Sequence, residues 1–396
     1  MSDLGFKKNR SIKLGIIATV PISILSFYGE QIDFLTDRGF DVTVITSPDR
    51  KFEERLSNKA RLIFIPMTRI ISPVRDLIAF IKIFNCVRKG SFDIVQYSSP
   101  KAAFLGSISS WFCHVPVRLY LMWGLFYTGQ EGIKRQLLKF MEKVICFCST
   151  YVSPDSKGNL LFAVQEKLCP LSKLSVVGNG SANGVDLTRF DLERLKPIGV
   201  KIRQNLKIPP HVLILGFVGR LRRDKGINEL ILTFASLAGK YPDIYLLLVG
   251  SQEAGGDEFD NESRKLLTQN KHIFTVGYQE KPEEFMSAMD IFVLPSYREG
   301  FGIVNIEASA MGLPVISTDI PGPRDSVING KTGILVKVRS VEELAEAMEK
   351  LIGDPGLRKK MGEAGRQWSA NFEQRRHWEA IKDHRLNLLR KAHIDV

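Results

Sequence analysis

Short apolar runs alternate with helical patterns along this 396-residue chain, and the alternation runs its course twice. Leu14–Val20, a helical pattern over Phe27–Arg38 closed by Gly39, and Val42–Ile45 read as strand, helix, strand. The rhythm continues through Leu62–Ile65, a helix over Val74–Val87, Ile94–Tyr97, a helix over Ala102–Trp111, and Val117–Leu121. Strands this apolar are buried on both faces, and helical crossovers between them require parallel pairing. After Phe190 a polar connector with Pro197, Pro209 and Pro210 intervenes, and the pattern then restarts. Strands are expected at Leu213–Val218, Tyr245–Val249, Ile273–Val276, Ile291–Leu294, Val315–Ile316 and Ile334–Val336. Helices are expected at Ile227–Leu237, Pro282–Met289, Val304–Met311 and Val341–Leu351. The expectation is an α/β chain of two Rossmann-like, doubly wound domains facing across a cleft, with ligands beyond the carboxyl ends of the strands. The domains are read as 1–190 and 191–370, followed by 371–396, where Trp378, Ile381, Leu388 and Leu389 at helical spacing predict an amphipathic helix packing across the domain junction.

Charge narrows the partners. Lys and Arg number 55 against 43 Asp and Glu, a net +12, which seeks an anion. Up to Phe190 there are 25 basic and 15 acidic residues, and after it 30 and 28, so the first part carries +10 and the second +2. No helix-turn-helix, RNA-recognition signature or arginine–aromatic interleaving accompanies the excess, so nucleic acid is not the expected partner. Five cysteines, an odd count without a C-x-x-C pair, suit a reducing cytoplasm and imply no zinc or other metal site. Lys7, Lys8 and Arg10 precede only a strand-length apolar run, unlike a signal peptide, and nothing approaches the roughly 20 apolar residues of a membrane span. A cytoplasmic protein, soluble or peripheral to the membrane, is expected.

Two segments could carry chemistry. In Gly216-Phe-Val-Gly219-Arg220-Leu-Arg-Arg-Asp-Lys225-Gly226, a strand meets a short loop and then a helix. Glycine admits close backbone approach, helix-start N–H groups favour an anion, and Arg220 and Lys225 add full charges, as a diphosphate requires; a merely solvated basic loop has the same composition. The second segment runs from Pro295 through Glu299-Gly300-Phe301-Gly302 to Glu307-Ala308. Eight residues at helical rise would part Glu299 and Glu307 by roughly 12 Å, more than an acid/base pair of a glycosidase uses, which favours separate roles. Glu307 lies between Ile306 and Ala308; it sits on a solvated face or is buried, and a buried carboxylate needs donors such as sugar or ribose hydroxyls.

With Gly312-Leu-Pro-Val-Ile-Ser-Thr-Asp following, these motifs resemble the retaining glycosyltransferases of the GT4 family, which have the two-domain GT-B fold. Val177–Phe190 and Ser99-Pro100-Lys101-Ala102 resemble members acting in bacterial capsule, O-antigen or lipid-linked oligosaccharide synthesis. The resemblance implies that 1–190 binds the acceptor and faces the membrane, and that 191–370 binds a nucleotide sugar. Arg220 and Lys225, beside Gly219, would hold the donor diphosphate in place of a metal, so no cofactor is expected. Glu307 would accept from the ribose hydroxyls, and Glu299 would lie beside the sugar. Gly300 belongs to the same turn, and the N–H groups of Phe301 and Gly302 would reach the sugar or phosphates. The turn Gly277-Tyr278-Gln279 would meet the base through backbone groups; UDP is the family's commonest nucleotide.

The first part departs from the family pattern. The usual Gly-Gly loop is replaced by Thr19-Val20-Pro21-Ile22-Ser23, and the usual histidine near the reacting sugar has no counterpart, His114 beside Cys113 and Val115 reading as structural. Lys101 and Arg118 are the candidates for an acceptor phosphate. Between Gly132 and Cys148, Ile133, Leu137, Leu138, Met141, Val144 and Ile145 fall at helical spacing, with Lys134, Arg135, Lys139 and Lys143 elsewhere. Such a helix packs in a core or lies in an anionic bilayer surface, and the aromatic residues Trp111-Phe112 and Tyr120–Tyr127 suit the membrane, where a polyprenyl-diphosphate acceptor resides. The expected activity is transfer of a hexose or N-acetylhexosamine to a lipid-linked or polysaccharide precursor at the inner face of the plasma membrane. The alternatives are a GT-B-fold sugar-nucleotide 2-epimerase and a nucleotide-sugar-binding protein without turnover.

Overall fold

A computed structural model describes residues 10–50, 53–54, 59–68, 72–252 and 259–394, and Lys7 and Lys8 lie outside them. The chain forms two compact units, one of residues 1–155, 160–178 and 376–396, the other of 156–159 and 179–375.

In the first unit, β1 (Ile12–Ile17), α1 (Pro21–Thr36), β2 (Phe40–Thr46), β3 (Arg61–Phe64), α2 (Pro73–Gly90), β4 (Ile94–Tyr97), α3 (Pro100–Phe112), β5 (Val117–Met122), α4 (Gly132–Cys148) and β6 (Tyr151–Pro154) follow one another, and α5 (Lys157–Gln165) belongs to it from Leu160 onward. The strands form one parallel sheet in the order β3-β2-β1-β4-β5-β6. Helix α1 starts six residues before the expected Phe27, because Pro21 presets the first helical turn and Ile24, Tyr28, Ile32 and Leu35 then bury on one side. The strand sequence reverses direction between β1 and β4, which puts α1 on one face and α2, α3 and α4 on the other, since crossovers are right-handed. Two apolar cores fill these faces, one joining α1 to β1 and β2, the other lining α2, α3 and α4.

The second unit repeats the scheme with α6 (Leu192–Asn205), β7 (Leu213–Val218), α7 (Ile227–Lys240), β8 (Ile244–Val249), α8 (Asn261–Gln269), β9 (Ile273–Thr275), α9 (Pro282–Met286), β10 (Ile291–Leu294), α10 (Ile303–Ala310), β11 (Val315–Thr318), α11 (Pro323–Ser326), β12 (Gly333–Val336), α12 (Val341–Gly353) and α13 (Pro355–Ser369). Its parallel order is β12-β11-β10-β7-β8-β9, the same topology as the first sheet. Two six-stranded parallel sheets, each between helices, make up the doubly wound α/β pair that the alternation predicts. The stretch around Pro197 is not the polar connector expected but α6. The Asp191 side chain accepts from the N–H groups of Glu193 and Arg194, and Leu195 buries, which outweighs the one ladder bond that Pro197 forgoes.

The last helix, α14 (Gln374–Lys391), enters the first unit at Arg376. There Trp378 packs on Phe34 with ring centroids 5.5 Å apart, and Leu388 and Leu389 bury in the α1 core. Among the described residues no helix is long and apolar enough to cross a membrane.

Candidate functional site

In a sheet of this order, the loops after the two central strands diverge to opposite faces and leave a crevice at their carboxyl ends. In the second unit those strands are β7 and β10, and their loops are the two segments singled out by sequence: Gly219–Gly226 and Pro295–Gly302. They abut directly. Gly226 has φ +68°, and a Cβ there would come within 2.0 Å of the Pro295 carbonyl oxygen, so only glycine lets α7 begin at this spot.

The contact brings charges together. Lys225 Nζ lies 2.6 Å from Glu299 Oε1, and Ser296 Oγ donates to that same oxygen at 2.7 Å. Asp224 ties the loops from the other side: its backbone oxygen accepts from the Tyr297 N–H at 2.9 Å and its carboxylate from Arg298 Nη2 at 2.7 Å. The Tyr297 hydroxyl donates to Glu229, Arg339 lies 4.5 Å over its ring, and burial pushes the phenol up to about 12. Arg220 is exposed at the end of β7.

Helix α10 starts at Gly302, whose φ of +77° suits glycine, and its first N–H groups have no acceptor within the helix. Asn305 fastens that start by donating to Ser326 Oγ at 3.1 Å and Ser317 Oγ at 3.3 Å. Phe301 buries its ring against Phe372 at 5.2 Å, so its backbone rather than its side chain faces the crevice side of the turn. The Gly300 carbonyl accepts from Asn159 Nδ2 at 2.5 Å, while the Gly158 N–H donates to Asp325 at 2.7 Å. The short segment Ser156–Asn159, from far back in the chain, is thereby part of the second unit.

Glu307 has different company. It is half-buried by surface, yet burial pushes its carboxyl up to about 7; the charge of Arg189 pulls the other way, and Glu283 adds to the rise. Arg189 itself is held by Glu283 at 2.8 Å and by the Glu280 carbonyl at 3.0 Å. The two carboxylates of the E-x7-E pattern are thus surrounded by separate groups. Tyr278 is 66% exposed in the turn after β9, and Gln279 Nε2 donates to the Val276 carbonyl at 2.7 Å. That turn is linked to the β7 loop in two steps, the Gly250 N–H donating to the Gly277 carbonyl and the Gly219 N–H to the Val249 carbonyl.

The first unit yields one correction. Arg118 lies at the amino end of β5, away from the carboxyl ends where such sheets bind ligands. Its guanidinium is engaged by the carbonyls of Cys148 at 2.7 Å and Val115 at 2.8 Å. It is a structural clamp, not an acceptor ligand. Lys101 does lie just past the carboxyl end of β4, but its ammonium is paired with Asp76 at 2.6 Å. Thr19 forms a clasp: its Oγ1 lies 2.9 Å from Ser99 Oγ and accepts from the Ala102 N–H at 3.2 Å, closing the start of α3. His114, at φ +53°, occupies the turn before β5 at the amino edge. In the Tyr120–Tyr127 run, Tyr120, Met122, Leu125 and Tyr127 are buried, while Trp123 and Phe126 are half-buried.

Ser296 and Asp224 stand inside the segments read from sequence but had drawn no role. Arg189, Glu283 and Asn159 carry no local signal, because their partners lie between 94 and 141 residues away or on other elements. Among the described residues no group of three or more His, Cys, Asp or Glu side chains could hold a metal ion.

Residues 23–152 match the family described as glycosyl transferase 4-like, and residues 200–368 match glycosyl transferases group 1. The capsular polysaccharide biosynthesis glycosyltransferase CapM of Staphylococcus aureus is 34% identical over 93% of this chain and 96% of its own. The Escherichia coli UDP-Gal:alpha-D-GlcNAc-diphosphoundecaprenol alpha-1,3-galactosyltransferase is 26% identical over 83% and 84%. Among solved structures, HepE of Anabaena in complex with UDP-glucose superposes with a TM-score of 0.78 over 95% of this chain and 100% of its own, at 18% identity.

Proposed function

The chain belongs to the GT4 family of glycosyltransferases, and from that premise we propose that it transfers a hexose or N-acetylhexosamine from a nucleoside diphosphate, by default UDP, to a lipid-linked or polysaccharide precursor, with retention at the anomeric carbon. The observation that carries this reading is the meeting of Lys225, Ser296 and Glu299 where the two central loops of the second sheet abut. Breaking the bond from the anomeric carbon to the diphosphate leaves charge on the phosphate oxygens. Lys225 and Arg220, with the first N–H groups of α10, supply positive charge to that leaving group, so no metal is needed. Lys225 and Ser296 both hold Glu299 by Oε1, which leaves Oε2 to accept from a sugar hydroxyl. Glu307 accepts from the ribose hydroxyls, and the Gly277–Gln279 turn meets the base.

The family resemblance to capsule and undecaprenol-linked transferases supports a polyprenyl-diphosphate acceptor, met at the cytoplasmic face of the membrane. On the acceptor side, Lys101 would exchange Asp76 for a phosphate. Helix α4 supports the membrane reading: it buries Leu138 and Ile145 yet leaves Ile133 85%, Phe140 62% and Phe147 70% exposed, so it packs on one stripe and offers another. Of its four basic residues, Lys139 at 2.6 Å and Arg135 at 3.9 Å both face Glu166, which leaves Lys134 and Lys143 as the charges for an anionic surface.

A screen of nucleotide sugars for hydrolysis, and for transfer to undecaprenyl-diphosphate-linked sugars, tests the reading. One donor should be turned over, and Lys225→Ala should lower that turnover by about 100-fold or more, the scale of losing a charge-stabilising donor at a leaving group. Turnover unaffected by that substitution would remove the role assigned to Lys225; binding of a nucleotide sugar with no turnover of any would leave a binding protein.

A further inference from the structure

Helix α2 lies on the same face of the first sheet as α4, and it too is apolar on both sides. Its inner stripe, Ala79, Ile83 and Val87, is buried in the core. Val74, Leu77, Ile78 and Ile81, spaced at i, i+3, i+4 and i+7, fall on the opposite side and are 71%, 59%, 49% and 50% exposed. A solvated helix puts polar residues there. Four adjacent aliphatic side chains on one stripe form a contiguous apolar patch rather than scattered surface residues.

The charges around this stripe are of one sign. Arg75, Lys82, Arg88 and Lys89 are exposed along α2, and its only acid, Asp76, is neutralised by Lys101. On α4 the only acid, Glu142, is buried and accepts from the Tyr120 hydroxyl at 2.8 Å. Neither helix therefore shows an unpaired carboxylate. Between them runs α3, packed against both and buried along most of its length. With helices 8–10 Å apart, the outer stripes of α2 and α4 stand as two ridges roughly 16–20 Å apart. Both helices begin at the carboxyl edge of the sheet, so the apolar residues of their first turns gather at the edge where such sheets bind ligands.

We propose that α2 is a second membrane-inserting ridge, and that α2 and α4 together seat the first unit on an anionic lipid surface by apolar insertion as well as by charge. The proposal rests on the membrane reading of α4 and extends it. Apolar stripes flanked chiefly by cations, with Glu131 an exposed acid at the start of α4, match the interface of a bilayer with anionic headgroups, whereas a second copy of this chain would bring the same excess of positive charge to the contact. Charge and insertion respond differently to salt. Attraction through Lys134 and Lys143 fades as ionic strength rises, and burial of Val74, Leu77, Ile78 and Ile81 in the acyl region persists.

The test is co-sedimentation of the full chain with phosphatidylglycerol-containing vesicles at low and high salt, beside neutral phosphatidylcholine vesicles. The wild type should bind anionic vesicles and keep part of that binding at high salt. Replacing Val74, Leu77, Ile78 and Ile81 by Ser should lower vesicle partitioning at high salt at least tenfold while leaving nucleotide-sugar binding and the thermal midpoint unchanged. Replacing Lys134 and Lys143 by Gln should remove mainly the salt-sensitive part. If the wild type binds anionic vesicles and the α2 variant binds them equally well at high salt, the α2 ridge is overturned while the α4 reading stands. If the wild type binds no vesicles at all, both fall. If sizing with light scattering reveals a dimer that the α2 substitutions dissociate, with vesicle binding unchanged, the stripe belongs to a second copy and the proposal is likewise overturned.

Discussion

Glu307 is the residue whose chemistry is most exposed to test. Burial in the second turn of α10 brings its carboxyl to about 7, so at neutral pH it is divided between neutral acid and carboxylate. A ribose hydroxyl donates best to the carboxylate. Donor binding should therefore draw a proton off Glu307, and affinity for a UDP-sugar, whose diphosphate does not titrate in this range, should rise by about tenfold between pH 6 and pH 8. Calorimetry across that range checks it, and Glu307→Gln should flatten the profile. A wild-type profile as flat as that of the variant would take the ribose away from Glu307. The same shift bears on stability with a definite sign. Because the folded pKa is raised, ionising Glu307 without a ligand disfavours the folded state, and that burden grows from the ordinary carboxylate range up to about pH 7. Arg189 partly offsets it, and no reading of the local sequence could have named it, since it reaches Glu307 and Glu283 only through the fold. Arg220, Lys225, Glu299 and Glu307 were legible because glycine, charge and strand end stand together in two short stretches of chain. Asn159 was not, because the carbonyl it meets belongs to Gly300, 141 residues further on.

At the level of elements, the strands were legible and the helices only in part. A strand buried on both faces is a dense apolar run that polar loops set off sharply, and eleven of the twelve strands among the described residues overlap such a run, whereas β6 (Tyr151–Pro154) does not. Helix α6 reads as a polar connector, and α5, α8, α11 and α13 stand beyond the helices expected from sequence. In α6 the proline misleads further, and so does Gly199, a poor helix former that is here required. A Cβ at Gly199 would lie 2.4 Å from the Ser287 carbonyl oxygen, so the glycine is what lets α6 lie against the end of α9. Gly199→Ala raises helix propensity by about 1 kcal/mol and forces a backbone clash that outweighs it. A net destabilisation of about 1–3 kcal/mol is expected by urea unfolding. An unchanged or higher midpoint would mean that α6 can shift away from Ser287 at little cost. Helix α4 exposes the opposite limit of periodicity. Its apolar residues occupy two stripes, and spacing alone cannot say which of them meets the core.

Across the whole molecule, sequence order and structural unit part company at the two places where the chain returns. Ser156–Asn159 joins the second unit, and everything from Arg376 onward joins the first, closing the α1 face that the N-terminal sequence begins. The return of the chain is fixed by a buried charge. Arg385, 2% exposed, donates to Gln96 Oε1 from Nε at 3.0 Å and from Nη2 at 2.7 Å, and to Gln31 Oε1 at 3.4 Å. Burial brings its pKa down to about 10, which still leaves it charged at neutral pH. Two neutral amides, one from β4 and one from α1, thus do the work a carboxylate would ordinarily do, and Nη1 has no partner among the described residues. Such an arrangement fixes where α14 lies without contributing much net stability, because desolvating the guanidinium opposes the hydrogen bonds it gains. The consequence is an asymmetry between partners. Gln96→Leu leaves a buried charge with little to hold it and should cost about 3–5 kcal/mol. Adding Arg385→Met to that variant removes the stranded charge at similar side-chain volume and should restore most of the loss, a coupling that a denaturant double-mutant cycle measures directly. Losses that simply add would mean that α14 is held by Trp378, Leu388 and Leu389 alone, and that the guanidinium plays no part in joining the end of the chain to its beginning.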